Sequence, residues 1–197
     1  VFINNSTTDS LQFTVKLNPT DSAIKNGVLL DIDGDGYLDF VGSKAISGSP
    51  TLTVPIIALK SDGLGNFTQN NNLLYPTGVG LIHARLFLAA DLNADGRDDL
   101  LIADHGYETI GGTFPGARNW LFINSGNRLE DKTASALDLL PGYTHQASIG
   151  DLDGDGKPDI FLNNADCNGV TMLCANQAKF WRNIGAGSFQ SYNPVLK

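Results

Sequence analysis

Short apolar stretches occur in pairs along this chain, and each pair encloses a run of acidic and glycine residues. The stretches before these runs are residues 28–30, 86–90 and 147–149. The stretches after them are residues 40–41, 100–102 and 160–162. Apolar runs this short, bounded by glycine and polar residues, favour strands over helices. The pattern therefore predicts three pairs of adjacent strands, each joined by an acidic loop.

A second pattern follows each pair and predicts two further strands. Residues 59–67 align with residues 181–189, and residues 122–129 form a shorter version. Each reads as a strand, a glycine-containing turn and another strand, so the repeating unit is four strands in about 50–60 residues. No helix longer than one or two turns, at 133–140, is expected. We predict an all-β fold with a single repeat domain over residues 1–197, divided into a half unit at 1–17 and whole units at 23–72, 82–134 and 143–193.

The acidic loops share the spacing D-x-[DN]-x-D-G-x-x-D. Positions 1, 3, 5 and 9 offer side-chain oxygens, position 7 can offer its backbone carbonyl, and glycine at position 6 permits a left-handed turn. Such an all-oxygen ligand set favours Ca²⁺ over zinc, copper or magnesium. Position 12 lacks the glutamate of an EF-hand, so position 9 must supply the closing carboxylate. The predicted side-chain ligands are Asp31, Asp33, Asp35 and Asp39; Asp91, Asn93, Asp95 and Asp99; and Asp151, Asp153, Asp155 and Asp159.

A metal-free surface turn, rich in aspartate and glycine, is the alternative for each loop. Up to four carboxylates within nine residues repel one another without a cation, and the same spacing occurs three times. We therefore expect about three Ca²⁺ ions per chain. Their charge would bring the net charge of the chain from −8 to −2.

These loops and their flanking strands resemble the FG-GAP and VCBS-type repeats of integrin-like β-propellers. The resemblance covers nearly the whole chain, and it implies four-stranded propeller blades whose first loop binds Ca²⁺. By position, it implies the side-chain ligands given above and backbone carbonyls from Tyr37, Arg97 and Lys157. The second loop departs from the pattern at Asn93 and Ala94, so its charge is lower.

The resemblance implies three full blades plus a half blade, which is fewer than the roughly 4–8 blades that close a propeller. We expect the missing blades to come from a longer polypeptide or from copies of this chain, which would form a ring or a filament. The chain begins with Val1, which fits a processed protein or a fragment, and we favour the fragment.

Composition narrows the classes of function. The chain is 42% hydrophobic and 17% charged, which indicates a folded protein. The net charge of −8 argues against nucleic-acid binding, and no apolar run is long enough to span a membrane.

Cys167 and Cys174 are the only cysteines, and we expect a disulfide between them, with two unpaired thiols as the alternative. A disulfide and calcium sites both favour an extracellular or cell-surface location. Glycosylation sequons occur at Asn4, Asn5 and Asn66.

The sequence contains no catalytic motif, and its histidines do not indicate an enzyme either. His83, His105 and His145 lack metal-ligand spacing, although His83 and His145 precede first strands and are expected near the central axis.

Leu59, Phe122 and Trp181 share one register of the third strand with Phe2, which predicts packing between blades. Trp120 is expected to pack as well, or to stack on a sugar. The longest loops, 43–53, 104–118 and 164–178, share the face opposite the acidic loops.

We therefore expect a non-enzymatic module for extracellular binding, adhesion or surface assembly. Its partners would be other protein chains, the missing part of the propeller, or an extracellular protein or glycan ligand. Two alternatives remain open. One is a glycan-binding lectin, and the other is an accessory domain of a calcium-dependent enzyme that acts on polysaccharides.

Overall fold

A computed structural model describes residues 2–4, 7, 10, 13–15, 24–44, 52–106, 116–137, 141–164 and 178–192. Within these ranges the chain is almost entirely β-structure, which confirms the predicted all-β class. Strand β1 (Phe2–Asn4) pairs with β2 (Phe13–Val15) in an antiparallel two-stranded sheet. The side chain of Phe2 and the pair Cys167 and Cys174 lie outside the described part of the structure.

Three larger sheets follow along the chain, and each runs through four consecutive antiparallel strands. The first sheet consists of β3 (Ile24–Leu30), β4 (Asp39–Lys44), β5 (Val54–Ser61) and β6 (Phe67–Gln69). After the short strands β7 (Leu74–Tyr75) and β8 (Gly80–Leu81), the second consists of β9 (Ala84–Ala90), β10 (Asp99–Asp104), β11 (Trp120–Asn124) and β12 (Leu129–Asp131). The third consists of β13 (Thr144–Gly150), β14 (Asp159–Asn164), β15 (Lys179–Gly185) and β16 (Ser188–Tyr192).

Two short strands connect the first and second sheets. Strand β7 (Leu74–Tyr75) runs parallel to β12, and β8 (Gly80–Leu81) pairs with β5. The sequence pattern did not predict either strand, because a strand of two residues shows no alternation of apolar and polar positions. Helical structure in the described residues is limited to a 3₁₀ turn at Asn71–Leu73 and to α1 at Thr133–Ala136. Neither is long or apolar enough to cross a bilayer.

The second sheet is buried on both faces, because it lies between two hydrophobic cores. On β10, Leu100 and Ile102 enter the core that it shares with the first sheet, and Leu101 enters the core that it shares with the third. Successive side chains of a strand point to opposite faces, so a strand buried on both faces reads as a continuous apolar run. Phe122 packs in the first core and Trp181 in the second, as their shared register predicts.

The first strands of the three sheets are neighbours in space, since β9 contacts both β3 and β13. The outer face of the third sheet is less covered: Phe161 and Phe180 contact each other there, with ring centroids 4.7 Å apart, and Tyr192 is exposed. Trp181 points into the core between the second and third sheets, so the less covered face of the third sheet is the opposite one. Neighbouring side chains on β15 alternate between these two faces.

Candidate metal centre

The three acidic loops lie between the first and second strands of their sheets, as predicted. Position 6 of each loop is a glycine with a positive φ of 84–86°, a conformation that a side chain disfavours. Position 4 also has a positive φ, 75° at Gly34 and 80° at Gly154, and Ala94 adopts it at 62° despite its side chain. The second loop therefore keeps the backbone of the other two, at a local conformational cost that a glycine would avoid.

The aspartate at position 1 organises each loop from within. One carboxylate oxygen accepts a hydrogen bond from the amide of the position 6 glycine, over 2.9, 2.8 and 2.9 Å in chain order. The other oxygen accepts the amide of position 4 or position 5. The residues at position 1 are Asp31, Asp91 and Asp151. These bonds hold the loop curled with its carboxylates on the inside.

The aspartate at position 9 is buried and ties its loop to the third strand of the same sheet. One oxygen accepts the amide of the second loop residue, and the other accepts an amide of the third strand at 2.8 Å in every sheet. Burial raises the pKa of Asp39 and raises that of Asp99 to about 6, although the amide bonds oppose both shifts. The sequence indicated only a metal ligand here, so this structural role of Asp39, Asp99 and Asp159 was missed.

The first and third loops each gather three carboxylates that could share one cation. Ligand oxygens of Asp31, Asp33 and Asp39 lie within 4.8 Å of one another, and so do those of Asp151, Asp153 and Asp159. Asp33 Oδ1 is buried and has no hydrogen-bond partner. A buried carboxylate oxygen without a partner is costly, and a cation held by hard oxygen ligands would satisfy it. The residues present at the first loop therefore fit a bound Ca²⁺.

The second loop does not bring three carboxylates together in the same way. Asn93 replaces an aspartate, and its amide group donates a hydrogen bond to Asp95 Oδ2 over 2.9 Å. Asp95 also pairs with the Arg97 guanidinium over 2.6 Å. The loop thus offers less negative charge to a cation than the other two, as its sequence indicates.

Basic side chains cover the outer carboxylates of the first and third loops. Lys60 pairs with Asp33 and with Asp35, the latter over 2.7 Å, and Arg182 pairs with the equivalent Asp153 and Asp155. Lys60 and Arg182 occupy the same register of the third strand, where the second sheet has Ile123 instead. These pairs were missed from the sequence, although the matched positions one residue after Leu59 and Trp181 carry the signal.

Charge compensation within the loops also appears in the pKa values. The Lys60 ammonium beside Asp35 lowers the pKa of that carboxyl, and Lys157 does the same for Asp155, over 2.7 Å. The pKa of Lys60 is raised by its two aspartate partners. The backbone amides of Tyr37, Arg97 and Lys157 donate to the position 5 carboxylates over 2.9–3.0 Å. The ligand role expected of their carbonyls stays a prediction.

Two buried asparagines connect the first and second acidic loops to the next sheet. The amide group of Asn124, on β11, donates to the Asp31 carbonyl of the first loop over 2.9 Å and to the Asp98 carbonyl over 3.2 Å. Asn183, on β15, donates to the Leu92 carbonyl of the second loop over 2.8 Å and to the Pro158 carbonyl over 3.0 Å. We call these contacts the amide bridges. They fix the positions of the first and second loops relative to the next sheet, and no sequence pattern predicts them.

The three histidines come together at the opposite end of the sheets. His105 Nε2 lies 2.8 Å from His145 Nε2, and the His83 ring packs against His105 with centroids 5.1 Å apart. The Tyr143 ring packs against His105 at a tilt of 44°, with 3.7 Å between centroids. In the described residues, ligand atoms of three or more candidate metal-binding side chains converge only at the first and third acidic loops. The histidine cluster was missed because its members are far apart in sequence.

The stability of the fold should depend on pH through His105. Burial lowers the pKa of this histidine to about 4, so the unfolded chain, with an ordinary histidine pKa of about 6.5, takes up the proton first. The contribution of His105 to the free energy of unfolding should therefore be fully present above about pH 6.5. It should fall by about 2 kcal/mol as the pH drops towards 4.

Denaturant unfolding at several pH values, with wild type and His105→Gln in parallel, measures this contribution. The neighbouring groups His83, His145, Arg85 and Tyr143 are present in both proteins, so the difference between the two pH curves belongs to His105. Curves of equal slope between pH 7 and pH 4.5 would contradict the prediction.

Comparison with known proteins identifies the repeat. The family model of the FG-GAP-like repeat matches residues 91–162, which run from the second acidic loop to β14 and include the third loop. No curated protein and no solved structure matches the chain. The match agrees with the resemblance that the acidic loops carry in the sequence, and residues 91–162 of the chain form an FG-GAP-type repeat.

Proposed function

We propose that this chain is a calcium-binding β-propeller module with a non-enzymatic role in extracellular binding, adhesion or surface assembly. The observation that carries the calcium proposal is the convergence of three carboxylates at each of two loops, with the buried Asp33 Oδ1 lacking any hydrogen-bond partner. In this proposal Ca²⁺ neutralises the carboxylates and fixes the turn between the first two strands of each blade.

The arrangement of the sheets supports propeller geometry. The first strands β3, β9 and β13 lie side by side, as inner strands do around a propeller axis. Each amide bridge joins the third strand of one sheet to the acidic loop of the sheet before it, so neighbouring sheets repeat one relation. Three four-stranded sheets are fewer than a closed ring needs, so we propose that further blades, from a longer polypeptide or another copy, cover the outer face of the third sheet.

The surroundings of Trp120 support neither of the two alternative functions, the glycan-binding lectin and the accessory domain of an enzyme that acts on polysaccharides. The Arg118 guanidinium lies over its ring at 3.5 Å from the centroid, which covers a face that a sugar would need for stacking. The absence of an enzymatic role, the extracellular location and the Cys167–Cys174 disulfide are parts of the proposal that follow from the sequence patterns alone.

Calcium stoichiometry tests the proposal directly. Isothermal titration of chelator-treated protein should give two tighter Ca²⁺ sites, at the first and third loops, and a weaker third site at the Asn93-containing loop. Asp33→Asn and Asp153→Asn should each weaken one of the tight sites by at least tenfold, because each change removes a full charge from a carboxylate cluster.

Asp98→Asn is the matched control, since Asp98 is exposed in the second acidic loop and occupies the motif's position 8, which supplies no predicted ligand. Its titration should match that of wild type. Wild-type protein that binds no calcium, or Asp33→Asn and Asp153→Asn variants that retain every site at full affinity, would refute the calcium proposal.

A further inference from the structure

A pocket with unbalanced positive charge opens at the end of the sheets opposite the acidic loops. It has a volume of about 420 Å³ and is lined by the first residues of the three inner strands. The polar residues of its lining are Lys25 and Asn26 on β3, His83 and Arg85 at β9, and His145 on β13. Because it lies where three sheets meet, each sheet contributes one part of its wall.

The charge of this pocket is unusual for the chain. The other four arginines each pair with a carboxylate: Arg97 with Asp95, Arg118 with Asp131, Arg128 with Glu130, and Arg182 with Asp153 and Asp155. Neither Arg85 nor Lys25 has such a pair among the residues that the structure describes. In a protein of net charge −8, two cations without carboxylate partners in one pocket indicate a place for a negative group from outside.

Arg85 is also incompletely satisfied by hydrogen bonds. Its Nε is buried and has no partner in the described structure, and its Nη2 lies 3.3 Å from His105 Nε2. A guanidinium does not lose its proton in a protein, so the positive charge of the partly buried Arg85 and its unused donor both remain. Leaving such a group without a counter-charge is costly.

None of the neighbouring groups forms an ion pair with Arg85 in the part of the chain that the structure describes. His105 Nδ1 lies 3.2 Å from the Gly106 carbonyl, and this bond requires the ring proton on Nδ1, which leaves Nε2 as an acceptor in an uncharged ring. The nearby carboxylate of Asp104 is buried and accepts the backbone amides of Ile82, His83 and Gly106 over 2.7–3.0 Å. Both oxygens of Asp104 therefore accept hydrogen bonds from backbone amides.

The position of Arg85 is fixed from the first sheet. The Asn26 side chain donates a hydrogen bond to the Arg85 backbone carbonyl and accepts the Gly27 amide over 2.9 Å. This contact joins β3 to β9 at the wall of the pocket. The backbone at Arg85 is thus held in place relative to the first sheet before any ligand arrives, which lowers the entropy cost of binding.

We propose that this pocket binds an oxyanion group, a planar carboxylate or a tetrahedral sulfate or phosphate, with Arg85 as the principal contact and Lys25 as a second cation. The planar fork of a guanidinium matches two oxygens of such a group, and His83 and His145 line the remaining wall. The volume suits a small ligand or one charged unit of a larger one. The site is separate from the acidic loops and does not depend on the calcium proposal.

Proton NMR of the imidazole rings can detect this binding, because the chain has three histidines and all of them lie at or beside the pocket. The full chain is titrated with sodium sulfate in one arm and sodium glucuronate in another, against sodium chloride at matched ionic strength. We expect saturable shifts of the histidine signals with sulfate, glucuronate or both, beyond those with chloride. The stronger arm shows whether the site prefers a tetrahedral or a planar anion.

Variants then assign the binding to the pocket. Arg85→Gln should weaken the binding by at least tenfold, and Lys25→Gln, at an exposed position, should weaken it several-fold. Arg128→Gln, which removes a guanidinium already paired with Glu130, should bind as wild type does. If Arg85→Gln does not fold, Lys25→Gln decides the result. Wild-type shifts no larger than those with chloride, or full affinity in Lys25→Gln or in a folded Arg85→Gln, would overturn the proposal.

Discussion

In millimolar Ca²⁺ the chain should unfold about 10–20 °C above its melting temperature in excess chelator. A ligand that binds only the folded state adds about 2.7 kcal/mol per site at a hundred times its dissociation constant. The two loops that gather three carboxylates would then add about 5 kcal/mol, and 1 kcal/mol corresponds to roughly 2–4 °C in a chain of this size. Scanning calorimetry in calcium and in chelator measures the difference.

Replacing a basic residue that pairs with the loop carboxylates makes this test more specific. Lys60 pairs with Asp33 and Asp35, so Lys60→Met should destabilise the calcium-free protein and leave a more negative cluster for the ion. The rise in melting temperature on adding calcium should therefore be larger in Lys60→Met than in wild type. Lys132→Met is the control, because Lys132 pairs with Glu130 away from the loops and should leave the rise unchanged. Identical melts with calcium and with chelator would contradict both expectations.

The sequence predicts the strands well wherever a repeat supports them. All four strands of the three main sheets lie within the predicted units, because apolar runs such as 100–102 and the glycine turns recur in register. The loop conformation was also predictable, since Gly36, Gly96 and Gly156 mark the positive φ that the turn requires. By contrast, β7 and β8 pair across sheets through residues that show no pattern of their own.

What the sequence could not show is which side chains meet across the repeats. The histidine cluster joins residues 40 positions apart, His105 and His145, whose proximity depends on the neighbouring placement of β9 and β13. Position 9 of the loops was read as a ligand, whereas its bonds to the third strand appear only once the sheet is assembled. The repeat alignment does place Ser61, Asn124 and Asn183 at one register, but the hydrogen bonds of Asn124 and Asn183 to the preceding loop depend on how the sheets pack.

Asn124→Ala should destabilise the fold by about 3–4 kcal/mol. Asn124 is fully buried, and its amide group serves the carbonyls of Asp31 and Asp98 while its oxygen accepts the Gly126 amide over 2.9 Å. Alanine would leave these three partly buried backbone groups without their partner, and an unsatisfied group costs about 1–3 kcal/mol where it is fully buried and less where water reaches it. The melting temperature should fall by roughly 10 °C, as measured by thermal unfolding in chelator so that calcium does not mask the change.

Asn127→Ala is the matched control, because Asn127 is exposed in the same turn and accepts a hydrogen bond from the Ser125 hydroxyl alone. It should change stability by no more than about 0.5 kcal/mol. Asn183→Ala should resemble Asn124→Ala, since Asn183 bridges the second loop to the third sheet in the same way. An Asn124→Ala variant as stable as Asn127→Ala would show that the bridge contributes nothing. If both bridges matter, the acidic loops act as the joints between neighbouring sheets, and a cation bound in a loop would stiffen the contact between two sheets as well as its own turn.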